Sequence, residues 1–127
     1  MNKVLLTVQN LSRSDTPLLR ARYCASFLCQ LRGLLFRRSL AEDEGLLLVQ
    51  PRASRINAAI HMLGMAFDLA VIWIDDAQRV VDVQWARRWR PFYFPKKPAR
   101  YVLETGVQHL GHFFPGDQLY IENLEKS

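Results

Sequence analysis

Long apolar runs are missing from this chain, since Arg, Asp or Lys interrupts every candidate before the ~20 consecutive apolar residues that a membrane-spanning helix needs. Cysteine is scarce. Only Cys24 and Cys29 are present and no histidine stands near them, which matches neither a zinc knuckle nor a Cys-x-x-Cys redox pair. Set beside Phe27 and Leu28, the two are expected as buried free thiols, which behave as small hydrophobes, with a disulfide as the alternative. The sequence also lacks a phosphate-cradling glycine loop, a nucleophile elbow and a metalloprotease helix, so an enzyme of familiar mechanism is not expected. There is no internal repeat and no low-complexity tract. The opening residues Met1 to Asn10 carry one Lys and a short apolar stretch broken by Thr7, too short for the core of a signal peptide, so a cytoplasmic location is expected.

What is present reads as a globular chain. Its 127 residues suffice for one domain, residues 1–127, that buries roughly two-thirds of the unfolded surface. Half the residues are hydrophobic and 23% are charged, well away from a disordered composition. Val4 to Val8 alternates like a strand, and Ser12 to Pro17 is a polar turn. Leu18 to Cys24 reads as a second strand. After Ser26, the apolar positions Phe27, Leu28, Leu31, Leu34 and Leu35 recur at spacings of three and four, which predicts an amphipathic helix with a Ser N-cap. Leu46 to Val49 is a short buried strand that Pro51 should stop. Phe67 to Ile74 and Arg79 to Gln84 flank the polar turn Asp75–Gln78, the pattern of a β-hairpin. Tyr101 to Glu104 forms a further strand or a turn of helix, and Gln118 to Glu122 a last strand. The expected class is α+β, a mainly antiparallel sheet or small barrel with one substantial helix.

Charge is concentrated. Between Trp85 and Tyr101 lie Arg87, Arg88, Arg90, Lys96, Lys97 and Arg100 with no acid, while the remaining 11 basic and 12 acidic residues nearly cancel, so the net charge of +5 resides here. Trp85, Trp89, Phe92, Tyr93, Phe94 and Tyr101 are interleaved with these cations, and three prolines hold the stretch open as a loop. Exposed cations beside exposed aromatic planes suit single-stranded nucleic acid, because phosphates need charge and bases need stacking surfaces. An anionic glycan, an acidic protein or an acidic lipid surface would also fit. The bland reading has the rings packed in the core with the cations solvated around them. The candidate ligand-binding set is therefore Arg87, Arg88, Trp89, Arg90, Lys96, Lys97 and Arg100.

Three segments carry a family resemblance. Arg32-Gly33-Leu34-Leu35-Phe36-Arg37 followed by Glu44-Gly45 and a leucine run is the first, Ile60-His61-Met62-Leu63-Gly64-Met65-Ala66-Phe67 leading into the hairpin is the second, and Tyr101-Val102-Leu103-Glu104 with Gly106 and the later Gly116-Asp117 is the third. In their order and spacing over about residues 32–121, these resemble a bacterial family of uncharacterised proteins, the domain-of-unknown-function family 192, also known as uncharacterised protein family 0127. The resemblance implies a β-rich fold, no assigned activity and no cofactor, and it picks out Gly33, Arg37, Gly45, His61, Gly64, Met65, Phe67, Glu104, Gly116 and Asp117 as motif positions. Relatives read P-I-D-V-V-F after the motif Phe, whereas this chain reads Asp68-Leu69-Ala70-Val71-Ile72-Trp73. The family's acidic position thus falls on Ala70, and Asp68 could replace the lost carboxylate from two residues away, about 7 Å along a strand.

The candidates for chemistry are few. His61, next to Gly64, is read either as a general base working with Asp68 or as a partly buried ring satisfied by a backbone carbonyl. Glu104 is a second carboxyl that could serve such a site. His109 and His112 have a spacing that two metal ligands could use, but Gly106, Gly111 and Pro115 around them and the lack of a third ligand favour a solvated loop, so no metal is expected. The function expected is a small binding or accessory module whose basic, aromatic rim engages an anionic ligand or partner. The alternatives are a small hydrolase or isomerase using His61 with Asp68 or Glu104, and a structural subunit of a larger assembly.

Overall fold

The computed structural model describes residues 5–122 and Leu124. Seven strands, β1 (Leu5–Asn10), β2 (Leu19–Cys24), β3 (Glu44–Ser54), β4 (Leu69–Ile74), β5 (Val80–Ala86), β6 (Ala99–Thr105) and β7 (Leu119–Glu122), form one sheet among the described residues. Their order is β5-β4-β6-β3-β2-β1-β7. All neighbours are antiparallel except β2 and β3, which run parallel and are joined through the short helix α1 (Phe27–Arg32) and the loop after it. The sheet curls until its two edges touch at one end. There Arg79 bridges Gln118, Val80 N donates to Asp117 O at 2.9 Å and Leu119 N to Gln78 O at 2.8 Å. The outcome is a half-closed β-barrel. Val4, expected as the start of the first strand, lies outside the described residues.

Both faces of the sheet are covered, so there are two cores. The concave face buries Leu6, Leu19, Leu47, Ile72, Leu103 and Leu119, with Phe113 from the 3-10 turn Val107–His112 and the residues after it. The convex face buries Leu46, Leu48, Val71, Trp73 and Val102 beneath Leu34, Ile60, Met62, Met65 and Tyr93. This accounts for the apolar run of β4, in which all six residues are buried, because an interior strand with both faces covered has no polar side. Trp73 fastens the outer layer, since its buried indole Nε1–H donates to the Ala58 carbonyl at 2.7 Å.

Four expectations need correction. The helix is neither long nor amphipathic: α1 has six residues, none of them buried. Ser26 does cap it, accepting from Cys29 N, but Gly33 at φ 48° ends it after little more than one turn. Leu34, expected on the same helix face, reaches the core from the following turn. Cys24 and Cys29 are not free thiols but a disulfide that ties α1 to the end of β2, with Cα atoms 5.6 Å apart. The third strand does not stop at Pro51; β3 runs for 11 residues, because its pairing with β6 shifts between Val49 and Ser54, and an irregular stretch needs no donor from Pro51. Finally, His109 is not in a solvated loop. It is 2% exposed, with Nε2 2.6 Å from the Glu42 carbonyl oxygen and Nδ1 3.1 Å from His112 Nδ1. A carbonyl can only accept, so His109 donates from Nε2 to Glu42, while its Nδ1 faces that of His112. No helix among the described residues is long and apolar enough to cross a membrane.

Candidate functional site

Two features stand out on the convex side. The first is the connection from β5 to β6. Because β4 lies between those strands, residues 87–98 must cross from one end of β4 to the other, as a strap over the convex face. Tyr93 pins the strap: it is buried, pairs with Ile60 by reciprocal backbone bonds of 3.0 and 2.9 Å, and its hydroxyl accepts from Arg87 N at 2.7 Å. Around that anchor the rings point to water. Trp85 is 50% exposed, Trp89 64%, Phe92 60% and Phe94 46%, whereas only Tyr93 and Tyr101 of the interleaved rings are buried. Packing of the aromatic set into the core therefore fails for four rings of the six.

The six cations do not form one rim. Arg87, Arg88 and Arg90 sit at the strap's first end, beside Met62 and Asp68, while Lys96 stands next to Asp82, to which its backbone N–H donates at 3.1 Å. These two groups are separated by nearly the length of β4, about 17 Å at ~3.3 Å per residue. Arg100 belongs to β6 and is already engaged, with Nε donating to Gln50 O at 3.1 Å and Nη1 3.5 Å from Asp76. At the first end the cations and rings are interleaved: the Arg87 guanidinium lies 5.3 Å from the Trp85 ring centre and that of Arg90 4.9 Å from Tyr93. Trp89 is held outward by an unusual backbone, φ 71°, fixed by its N–H to Met62 O at 2.7 Å.

Asp68 organises this end. Its carboxylate accepts from Arg88 N at 2.8 Å and from Trp85 Nε1 at 2.9 Å. These two hydrogen bonds, the backbone one first, hold it below the ordinary carboxylate range. Asp68 is thus occupied in placing Trp85 and the strap, and it does not line the pocket that His61 lines. Ala70, at the family's acidic position, is fully buried in the concave core, where an unpaired carboxylate would be costly.

The second feature is that pocket, a cavity of about 80 Å³ between α1, the 59–65 segment and the convex face. His61 and Arg32 are exposed lining residues, while Leu34, Leu48, Met62, Met65 and Leu69 form buried apolar walls. Glu104 closes it from β6. The side chain is 6% exposed and has no hydrogen-bond partner among the described residues, and burial alone pushes its carboxyl up to about 7. His61 and Glu104, one of the two pairings considered from the sequence, thus line one pocket, and Asp68 does not. Sequence reasoning missed Gln30 and Gln50. Gln50 Nε2 donates to Gln30 Oε1 at 2.9 Å, and Gln30 Nε2 donates to Val49 O at 2.9 Å. A polar residue at the end of the apolar run of β3 was the available signal.

The motif positions divide by location. Gly33, His61, Met65 and Glu104 line the pocket, and Gly64 turns the chain between Met62 and the half-buried Phe67. Gly45 lets β3 and β6 approach, since a Cβ there would stand 3.2 Å from both Glu104 O and Leu103 Cδ1. Arg37 and Glu44 form a two-pronged ion pair at 2.7 and 2.8 Å that closes the loop after α1; the Arg37 hydrogen bonds hold Glu44 below its ordinary range. Asp117, beside Gly116, accepts from Asn10, Arg13 and Phe114 N at the closed end of the barrel. Burial pushes its carboxyl up, but those bonds outweigh it and leave it below the usual range.

Comparison with known proteins agrees with the geometry of the fold. Two solved structures match most of the chain: one from Sinorhizobium meliloti 1021, provisionally assigned as a transcription regulator, with TM-score 0.81 at 23% identity over 97% of this chain and 96% of that one. The other, a protein of unknown function from Novosphingobium aromaticivorans, gives 0.76 at 24% identity over 93% and 84%. Among relatives by sequence, the UPF0127 protein of Thermococcus gammatolerans is 46% identical over 82 residues, 65% of this chain and 52% of that protein. The Thermococcus kodakarensis UPF0127 protein is 40% identical over 88 residues, 69% and 54%, and that of Pyrococcus furiosus 34% over 95 residues, 75% and 78%. The match thus spans about half the length of the first two of these curated relatives. These organisms are archaea, so the relatives are not confined to bacteria. The model of the family described as Uncharacterized ACR, COG1430, matches residues 9–119, reaching back to β1, and the chain belongs to this family, DUF192.

Proposed function

We propose that this protein is a binding module whose strap, at its Arg87–Arg90 end, engages single-stranded nucleic acid. One observation carries the reading: Trp85 and Trp89 present exposed rings among three exposed arginines, on a segment anchored beneath by Tyr93. Guanidinium groups meet phosphates, and the rings offer stacking planes to bases without regard to sequence. A sulfated glycan would use the same charges and leave the rings idle.

The test is a titration of a labelled uridine oligonucleotide into wild-type protein and the Arg88→Ala, Arg90→Ala double variant. Each released counterion contributes about 0.7 in log–log slope for single strands, so two lost contacts weaken binding about 20-fold at 0.1 M salt. Stability should not change, because Arg88 keeps its backbone bond to Asp68 in the variant. A folded double variant with unchanged affinity refutes the reading. A second reading has a specific observation of its own, the convergence of His61 and Glu104 on one pocket. There the protein would be a small hydrolase or isomerase, and His61→Ala would abolish turnover while leaving RNA binding intact.

A further inference from the structure

The pocket beside α1 has an uneven supply of hydrogen-bonding atoms. Its two buried polar lining residues on the sheet are Gln50 and Glu104, each 6% exposed. One Gln50 amide N–H donates to Gln30 Oε1, and the Gln30 amide N–H groups face the carbonyls of Val49, Cys24 and Ala25. Glu104 makes no side-chain hydrogen bond or ion pair among the described residues, although it is 6% exposed and lines the pocket. The Glu104 end of the pocket therefore offers carboxylate acceptors that no side-chain donor occupies. Apolar walls of Leu34, Leu48, Met62, Met65 and Leu69 surround these acceptors. The volume of about 80 Å³ is several times the ~10–15 Å³ that one water needs, room for a head group and a short alkyl stem.

We infer that this pocket is a binding site for an aliphatic primary ammonium group, which donates to the Glu104 carboxylate while its stem lies against the leucine and methionine walls. An ammonium brings donors and a positive charge and no acceptor, which is what a carboxylate without a partner lacks. A free amine and a lysine side chain of another protein share this chemistry.

The charged and titratable groups around Glu104 are few. Arg32 lines the pocket from α1 and lies over the Phe36 ring, His61 lines it from the 59–65 segment, on β3 the Glu44 carboxylate is taken by Arg37, and on β2 Arg22, across Leu46 from Glu104 on the same face, has a buried Nε with no hydrogen-bond partner among the described residues. Ligand binding requires Glu104 in its ionised form, so a proton is released on binding below pH 7. With the carboxyl at about 7, affinity rises about fifty-fold from pH 5 to pH 7 and levels off above.

The experiment is calorimetric titration of the full chain with n-butylammonium chloride, with n-butanol and with a capped Gly-Lys-Gly peptide, in wild type and Glu104→Gln. Glutamine keeps the size of the side chain and removes the charge, and wild type with butanol provides a comparison that needs no variant. The inference predicts saturable binding of butylammonium or the lysine peptide, at least tenfold tighter than butanol, with proton release at pH 6. Glu104→Gln should lose at least tenfold in affinity together with the pH dependence. The tighter of the two ammonium probes identifies the source as free amine or protein lysine. Equal binding of butanol, no saturation by either ammonium probe, or undiminished binding to Glu104→Gln overturns it.

Discussion

Replacing Glu104 by Gln should make the protein more stable at neutral and alkaline pH, although it removes a motif residue from the centre of the sheet. The carboxyl has an ordinary value of 4.5 and is pushed up to about 7 by burial in the folded chain. Between those two values the folded protein holds a proton that the unfolded chain has released, so stability falls as pH rises through this window, by about 1.36 kcal/mol per unit. The full span corresponds to on the order of 3 kcal/mol, complete once pH exceeds about 7. The carboxyls held low by partners, Asp68, Glu44 and Asp117, act in the opposite sense. Their stabilisation is present above their unfolded values and is lost only as pH falls below about 4, outside this window. The quantity to measure is the difference between variant and wild type, in which contributions common to both cancel. Urea unfolding at intervals from pH 5 to pH 8.5 should give near-equal stabilities at pH 5 and a Glu104→Gln advantage approaching 3 kcal/mol at pH 8. A difference that stays flat across the range, or that favours wild type at pH 8, refutes the claim that this carboxyl is buried without a partner.

Three further outcomes follow from other parts of the molecule. Trp89→Gly should leave stability unchanged or raise it, because glycine accepts the φ of 71° without strain, while oligonucleotide affinity falls with the lost stacking plane by about 1–3 kcal/mol; thermal melts and the same titration separate the two effects. Trp73→Phe should cost about 2 kcal/mol in urea unfolding, since it leaves the buried Ala58 carbonyl without its donor and opens a small void. Reducing the Cys24–Cys29 bond, which closes a loop of sequence separation 5, should lower stability by about 2 kcal/mol in the chain-entropy account, seen as a downward shift of the urea midpoint on adding dithiothreitol.

Sequence reasoning reached the elements whose signal is local. The β4–β5 hairpin is legible because a strand buried on both faces must be apolar throughout and the Asp75–Gln78 turn carries its own residues. The pocket was half legible: the sequence offered His61 with either Asp68 or Glu104, but which carboxyl shares its pocket depends on β6 lying between β3 and β4, a pairing that no local pattern encodes. The helix was overread because Phe27, Leu28 and Leu31 have helical spacing yet face solvent, being 79%, 70% and 54% exposed. Periodicity reports a shared face and not what covers it. The charged segment was read as one rim. A chain that crosses the sheet spreads neighbours in sequence over about 17 Å, and only the topology shows this.

The proposal that the strap binds a single strand through one cluster of arginines is tested most directly by the salt dependence of oligonucleotide affinity. Three contacts, from Arg87, Arg88 and Arg90, predict a slope of log affinity against log salt near −2, at about −0.7 per phosphate contact, with uridine RNA preferred over a sulfated glycan of equal charge. A slope near zero, or equal affinity for the glycan, would contradict it.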